Sequence, residues 1–492
     1  MKQIFLFTIL LVSTLAWTDQ PAARPLAISH VNLIDATGKP AQADMTVVIV
    51  GDRIQAIGKT GKVKIPADAE VVDASGKFLI PGLWDSHIHL TIAAGQQVTR
   101  ELFAPMLVAY GVTTVREMGG DWQRVRQLRQ EIGDGKATGP RIFAPGPFVD
   151  GPQPADVNFL PVANEAEARQ AVRKLKSDGV DFIKVQANLS LDSWRAVTDE
   201  ARLVSIPVAG HIPEAISAFD VAASNQRSIE HVSPVLPGDA GIMLACSGKE
   251  AELRAELAAL KTAAADKNAN RQQLRQRQRE LQRQMATTYD APKCARLFSL
   301  FIKNRTHVVP TQIWSTRFSP LNAQDLPKDE SLRLAPASMR ARWDKRRGDV
   351  IKASSPEDFA FRQLLFDKSR DLVTTMIRAR VPLLAGTDAM DGYVLPGAGL
   401  HEELELFVKS GMTPMAALQS ATRDAAKFFG KLDSLGTIER GKVADLVLLD
   451  ADPLQFIANT RKIHAVVIGG RLMTNAQRQE LLVKLERFAN QH

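Results

Sequence analysis

Between residues 26 and 80, apolar and polar positions alternate in short runs: "LAISHVNLID", "DMTVVIVGDRIQAIG" and "AEVVDASGKFLI". Alternation with a period of two marks half-buried strands, and turn residues punctuate the runs. This stretch predicts a small β-domain, with the Gly-Asp-Arg at 51–53 as a hairpin turn. From Pro81 the texture changes. Short apolar runs now alternate with longer stretches of helical spacing such as "NEAEARQAVRKLKSDG", which stops at a glycine. Eight runs read as strands: "LWDSHIHL", "GVTTVREMG", "RIFAPGP", "DFIKVQA", "IPVAGHI", "RSIEHVSP", "HVVPTQIW" and "VPLLAGTDA". Eight strand–helix units in succession predict a parallel sheet closed into a (β/α)8 TIM barrel.

The spacing has one large excess, between strands six and seven. There Leu253, Leu257 and Leu260 follow helical spacing, "DKNAN" (266–270) breaks it, and Leu274, Leu281 and Met285 resume it. A helical hairpin inserted over about 240–296 is expected, on the face of the barrel where active sites lie. A lid is its functional reading; a solvated excursion or an oligomer contact is the plain one. After the barrel, "GTIERGKVADLVLLDADP" and "KIHAVVIGGRLM" return to strand texture. The expected organisation is a barrel over 81–431 and a composite β-sandwich built from 26–80 and 432–478.

Composition narrows the class. The chain has 492 residues, 45% hydrophobic and 24% charged, which is a globular balance and excludes wholesale disorder. The formal charge is +8, gathered in "RQQLRQRQRELQRQ" and "RARWDKRR". Such runs are usually solvated helix faces, and few aromatics lie near them to stack bases, so no nucleic-acid partner is expected. The opening "MKQIFLFTILLVSTLAWTDQP" has a lysine, an apolar run too short to span a bilayer and then polar residues. It predicts a signal peptide over 1–17 and a periplasmic or secreted protein without stable membrane insertion; an uncleaved anchor is the alternative. In an exported protein Cys246 and Cys294, near the two ends of the insertion, form either a disulfide or two buried thiols.

The candidate chemistry lies where barrel strands end. His87 and His89, one residue apart, point the same way if the strand continues, which suits a divalent metal. Lys184 lies in strand four, His211 ends strand five, His231 ends strand six, and Asp388 ends strand eight. Each alone has a dull reading: a hydrogen-bonded core histidine, an ion-paired ammonium, an N-cap. Converging, four imidazoles and a carboxylate would be costly to leave unpaired. Arg116, Glu117 and His401 are candidate substrate or supporting residues; His401 equally suits packing the helix it begins. His30, His464 and His492 receive no chemistry, and His307 begins strand seven, away from the mouth.

"PGLWDSHIHL", "GVTTVREMGG", "FIKV", "GH", "SIEH", "GTDA" and "GTIERGKVADLVLLD", in that order, resemble the amidohydrolase superfamily, in its imidazolonepropionase-like and prolidase-like branches. The resemblance implies two divalent ions, usually zinc. His87, His89 and Asp388 would hold one, His211 and His231 the other, and an N-carboxylated Lys184 would bridge them. It implies hydrolysis of an amide, peptide or lactam C–N bond of a small molecule by a metal-bridging hydroxide, dipeptidase- or carboxypeptidase-like, with Asp388 as general base and then acid. Deamination, ester, lactone or phosphoester hydrolysis at the same centre, and a non-catalytic metal-binding homologue, are the alternatives. A homo-oligomer is compatible with the sequence. Two departures stand out: "VRE" where relatives often read "VRD", and Ile212-Pro213-Glu214 after His211, where some relatives carry an aromatic hydroxyl.

Overall fold

The computed structural model describes residues 24–492 apart from 93, 154–157, 233–240, 267, 319–328 and 391. The expected signal peptide lies outside the described residues. Seven of the expected barrel strands form: Leu83–Ile88, Val112–Glu117, Arg141–Phe143, Ile183–Val185, Val208–Gly210, Gln226–Glu230 and His307–Val309. All pairings among them are parallel, the first three in one ladder and the last four in another. Between these sets the Asp181 amide donates to the Ala144 carbonyl at 2.9 Å. Two short strands absent from the sequence expectation, Phe148–Asp150 and Phe159–Pro161, continue the second ladder beyond Ile183–Val185.

The eighth run, "VPLLAGTDA", forms no ladder. It spans the gap between the seventh and first strands through isolated bridges, Val308 to Leu383 and Ile88 to Ala389. The reasons are local. Pro382 has no N–H to give. At Gly386 a Cβ would lie 2.8 Å from the His87 nitrogen, so the two backbones approach too closely for a side chain. The seventh strand is also shorter than "HVVPTQIW" suggested. It stops at Val309, Pro310 ends the pairing, and Gln312–Phe318 is a helix.

The β-domain is one eight-stranded sheet. The strand Leu26–Leu33 divides its pairing, the first half parallel to Glu70–Asp73 and the second to Phe78–Pro81. Leu446–Leu449, from the far end of the chain, pairs antiparallel with Phe78–Pro81, and Ile463–Ile468 and Arg471–Met473 follow outward. The sheet encloses its own apolar cluster, with Ile28, Val47, Leu79, Leu446 and Val467 buried together. Beyond the expected end at 478, a helix Asn475–Gln491 returns to the barrel, where buried Arg478 donates from Nε to the Ala109 carbonyl at 2.6 Å.

The insertion is a helical hairpin, Glu250–Ala265 and Arg271–Thr287. The break falls where the polar run placed it, and Asn270 caps the second helix by accepting from the Gln272 and Gln273 amides. Cys246 and Cys294 are joined by a disulfide, and an antiparallel bridge from Ser247 to Tyr289 lies beside it. Among the described residues no helix is long and apolar enough to cross a membrane.

Candidate metal centre

The first barrel strand is buried on both faces and ends at Ile88, so His87 lies inside the barrel and His89 just beyond its rim. Their ring centroids are 5.3 Å apart. His231 leaves the end of the sixth strand in a left-handed conformation (φ 66°), and Asp388 does the same in the eighth segment (φ 55°). Such strain at non-glycine residues is held only where the surroundings fix it. Here the Asp388 amide donates to the His87 carbonyl at 2.8 Å, and the His231 amide to the Val309 carbonyl at 2.9 Å. The turned backbone sends both side chains inward. Asp388 Oδ1 lies 3.4 Å from Nε2 of both His87 and His89, and Oδ2 lies 3.9 Å from Nε2 of His231.

The rings form a row, with His87 to His231 and His231 to His211 each 5.0 Å between centroids. Lys184 pairs in register with Ala209, two residues before His211, and is fully buried. Burial first, and then the nearby Lys184 charge, holds His89 down at about 3 and His87 and His211 well below the ordinary imidazole value. These three rings are therefore neutral near pH 7, the form that ligates metals.

Partners on the far side of each ring fix its orientation. His87 Nδ1 lies 2.9 Å from Glu230 Oε2, and His231 Nδ1 lies 2.7 Å from the Thr311 hydroxyl. His89 Nδ1 meets the Gly119 carbonyl at 3.4 Å. Each Nε2 is thereby left to face Asp388. The donor chemistry fits a divalent cation: ligand atoms of His87, His89 and Asp388 all lie within 4.8 Å of one another. An ammonium on Lys184 does not fit a cation; a carbamate there does.

Of the two readings open for Arg116, Glu117 and His401, the contacts favour support. Arg116 is fully buried and spent on its own surroundings: Nη2 to Glu230 at 2.7 Å, Nη1 to the Ser228 hydroxyl at 2.8 Å, and Nε to the Ser86 carbonyl. It anchors Glu230 rather than offering itself to a substrate. His401 is likewise closed off. Its Nδ1 meets the Thr460 hydroxyl and its Nε2 the Tyr110 carbonyl, both at 3.0 Å, so it packs its helix and does not line a substrate site. Glu117 is pushed up to about 8 by burial and accepts from the Leu90 amide, tying down the turn that follows His89.

Sequence reasoning passed over four supporting residues. Glu230 stood next to a candidate ligand in "SIEH" and joins His87 to Arg116. Asp85, in "WDSHIH", accepts from the Thr387 hydroxyl at 2.6 Å and the Thr387 amide at 3.0 Å, which fastens the eighth segment to the first strand. Buried Glu403 accepts from the Gln312 and Ile313 amides at 3.0 and 2.7 Å, and so braces the turn that presents Thr311 to His231. Thr311 itself is the fourth. Glu230→Gln removes the charge that polarises His87 and pairs Arg116. Metal affinity is expected to fall about 10- to 100-fold, measurable by competition with a chromogenic chelator.

Comparison with known families matches residues 78–266 and 328–473 to the amidohydrolase family. The chain belongs to the amidohydrolase family. Among curated relatives, this amidohydrolase is 43% identical over 68 residues to N-substituted formamide deformylase of Arthrobacter pascens, covering 13% of this chain and 12% of that protein. It is 32% identical over 124 residues to imidazolonepropionase of Shouchella clausii, covering 24% of this chain and 26% of that protein. The matched stretches are thus a minor part of either relative. Across the whole fold it is similar to the crystal structure of a Xaa-Pro dipeptidase with methionine bound in its active site: TM-score 0.61, 21% identity, 92% of this chain and 100% of that one.

Proposed function

We propose that this amidohydrolase is an exported, metal-dependent hydrolase of a C–N bond in a small amide or peptide, dipeptidase- or carboxypeptidase-like. The observation that carries the reading is the row His89–His87–His231–His211, the first three rings facing Asp388, with Lys184 buried beside them. His87, His89 and Asp388 would hold one divalent ion, His211 and His231 a second, and Lys184 as a carbamate would link them; zinc suits nitrogen and carboxylate donors of this kind. Ions held there supply Lewis acidity to the scissile carbonyl and bring the ionisation of water towards neutral pH. Asp388 takes a proton on its carboxylate and returns it to the departing amine. Thr311, Glu230 and the Gly119 carbonyl keep three rings turned inward throughout. Export rests on the apolar leader pattern alone.

The names of relatives support amide chemistry: an N-substituted formamide deformylase, an imidazolonepropionase and a Xaa-Pro dipeptidase. Metal-loaded protein screened against dipeptides, N-acyl amino acids and lactams is expected to release amine from at least one of these sets, and to stop when a strong chelator removes the metal. Activity that persists in metal-free protein would overturn the reading. Ammonia release from aminated heterocycles alone would assign deamination instead.

A further inference from the structure

The helical hairpin does not stand clear of the barrel. Its first helix is tied to the loops that follow the fourth and fifth strands, a few residues beyond Lys184 and His211. Arg254 donates from Nη1 to the Glu214 carbonyl at 2.7 Å. Lys261 reaches both the Glu214 carboxylate and the Asn188 side-chain oxygen at 3.2 Å. Asn188 is itself fixed, donating from Nδ2 to buried Asp150 at 3.1 Å.

Between the hairpin and these loops lies a cavity of about 290 Å³. Both helices address it with a single face. Leu257, Leu260, Lys261 and Ala264 stand at the i, i+3, i+4 and i+7 positions of the first helix, and Arg271, Leu274, Arg275 and Gln278 at the same positions of the second. The three leucines are half-buried and give the cavity an apolar floor. The charges around it are uneven. Lys261 is committed to Glu214, and Arg271 is committed to the carbonyls of Ala264 and Asp266. Arg275 makes no ion pair and no hydrogen bond among the described residues, yet it lines the cavity. A leucine floor beneath one uncommitted guanidinium matches a ligand with an apolar side chain and a carboxylate, which arginine grips through two N–H groups.

We infer that this cavity is a subsite for the distal end of the substrate, selecting a residue with an apolar side chain and a free carboxylate, with Arg275 as its anion contact. The inference rests on the amide- or peptide-hydrolase reading and names the substrate class within it. It gives the insertion a specific role, since the hairpin supplies a wall and a charge that the barrel strands do not.

The test separates the two readings by measuring binding apart from turnover. Calorimetry with N-acetyl-leucine and with N-acetyl-leucine amide needs no hydrolysis. The acid is expected to bind about tenfold more tightly than the amide, as one charge-assisted contact warrants. Arg275→Glu should erase that preference, and Leu260→Asn should weaken both ligands alike. Equal binding of acid and amide, no binding of either, or an acid preference that survives Arg275→Glu would overturn the subsite. Kinetics on leucine-ended dipeptides and their amides then show where the contact acts. A loss confined to KM in Arg275→Glu supports the subsite; a loss confined to kcat contradicts it. Failure to hydrolyse any dipeptide counts against the hydrolase reading, while the calorimetry still decides the cavity.

Discussion

Lys184→Ala is expected to lose metal and activity together, by about three orders of magnitude or more in kcat/KM, because water left without two ions ionises far above neutral pH. Lys184 is fully enclosed, and its charge presses on His87, His89 and His211. An ammonium beside a cation pair is repulsive, so the site holds two ions only if Nζ has been carboxylated. The step balances simply: the deprotonated nitrogen attacks the carbon of CO2, and the N–H proton passes to solvent, leaving a carbamate with two oxygen donors. Reconstitution of metal-stripped protein should therefore be faster and more complete with bicarbonate than in CO2-depleted buffer. Lys184→Glu, which carries its own carboxylate, should show no such dependence. Metal content by elemental analysis checks both points. A Lys184→Ala protein with two ions per chain and undiminished turnover would dispose of the bridge.

Asp388→Asn is the second large effect. Asparagine tolerates the left-handed backbone that Asp388 adopts, so the substitution tests the carboxylate rather than the fold. Removing a general base is expected to lower kcat by about 10²- to 10⁴-fold. The amide oxygen remains a weak donor, so an ion held with His87 and His89 would be bound less tightly but not lost outright. Thermal denaturation of the metal-stripped proteins should be nearly superimposable. Wild-type kcat in the Asp388→Asn protein would remove the proton-transfer role.

Much of this was legible in the chain because barrel strands are local objects. An apolar run ended by a histidine or an aspartate declares both a strand and its functional end, and the hairpin announced itself through leucine spacing around "DKNAN". What stayed hidden depends on contacts across the molecule. Glu230 meets His87 from 143 positions away and Asp85 meets Thr387 from 302, and no local pattern encodes such pairings. Arg116 and His401 kept two readings, substrate contact or support, for the same reason, since a polar residue in an apolar run looks identical whether it faces a pocket or a buried partner. The eighth strand was legible as a run but not as a ladder, because proline, a crowded glycine and a left-handed aspartate together spoil its pairing.

The interleaving of the two chain ends in one sheet has a consequence for how the molecule is made. Phe78–Pro81 lies between Leu26–Leu33 and Leu446–Leu449, so during synthesis one of its edges waits unpaired while the whole barrel is translated. An open, apolar edge invites pairing with neighbouring nascent chains. Proteins cut short before residue 446 should accordingly accumulate as aggregates, and the last strands to emerge act as the fastening that ends this vulnerable interval.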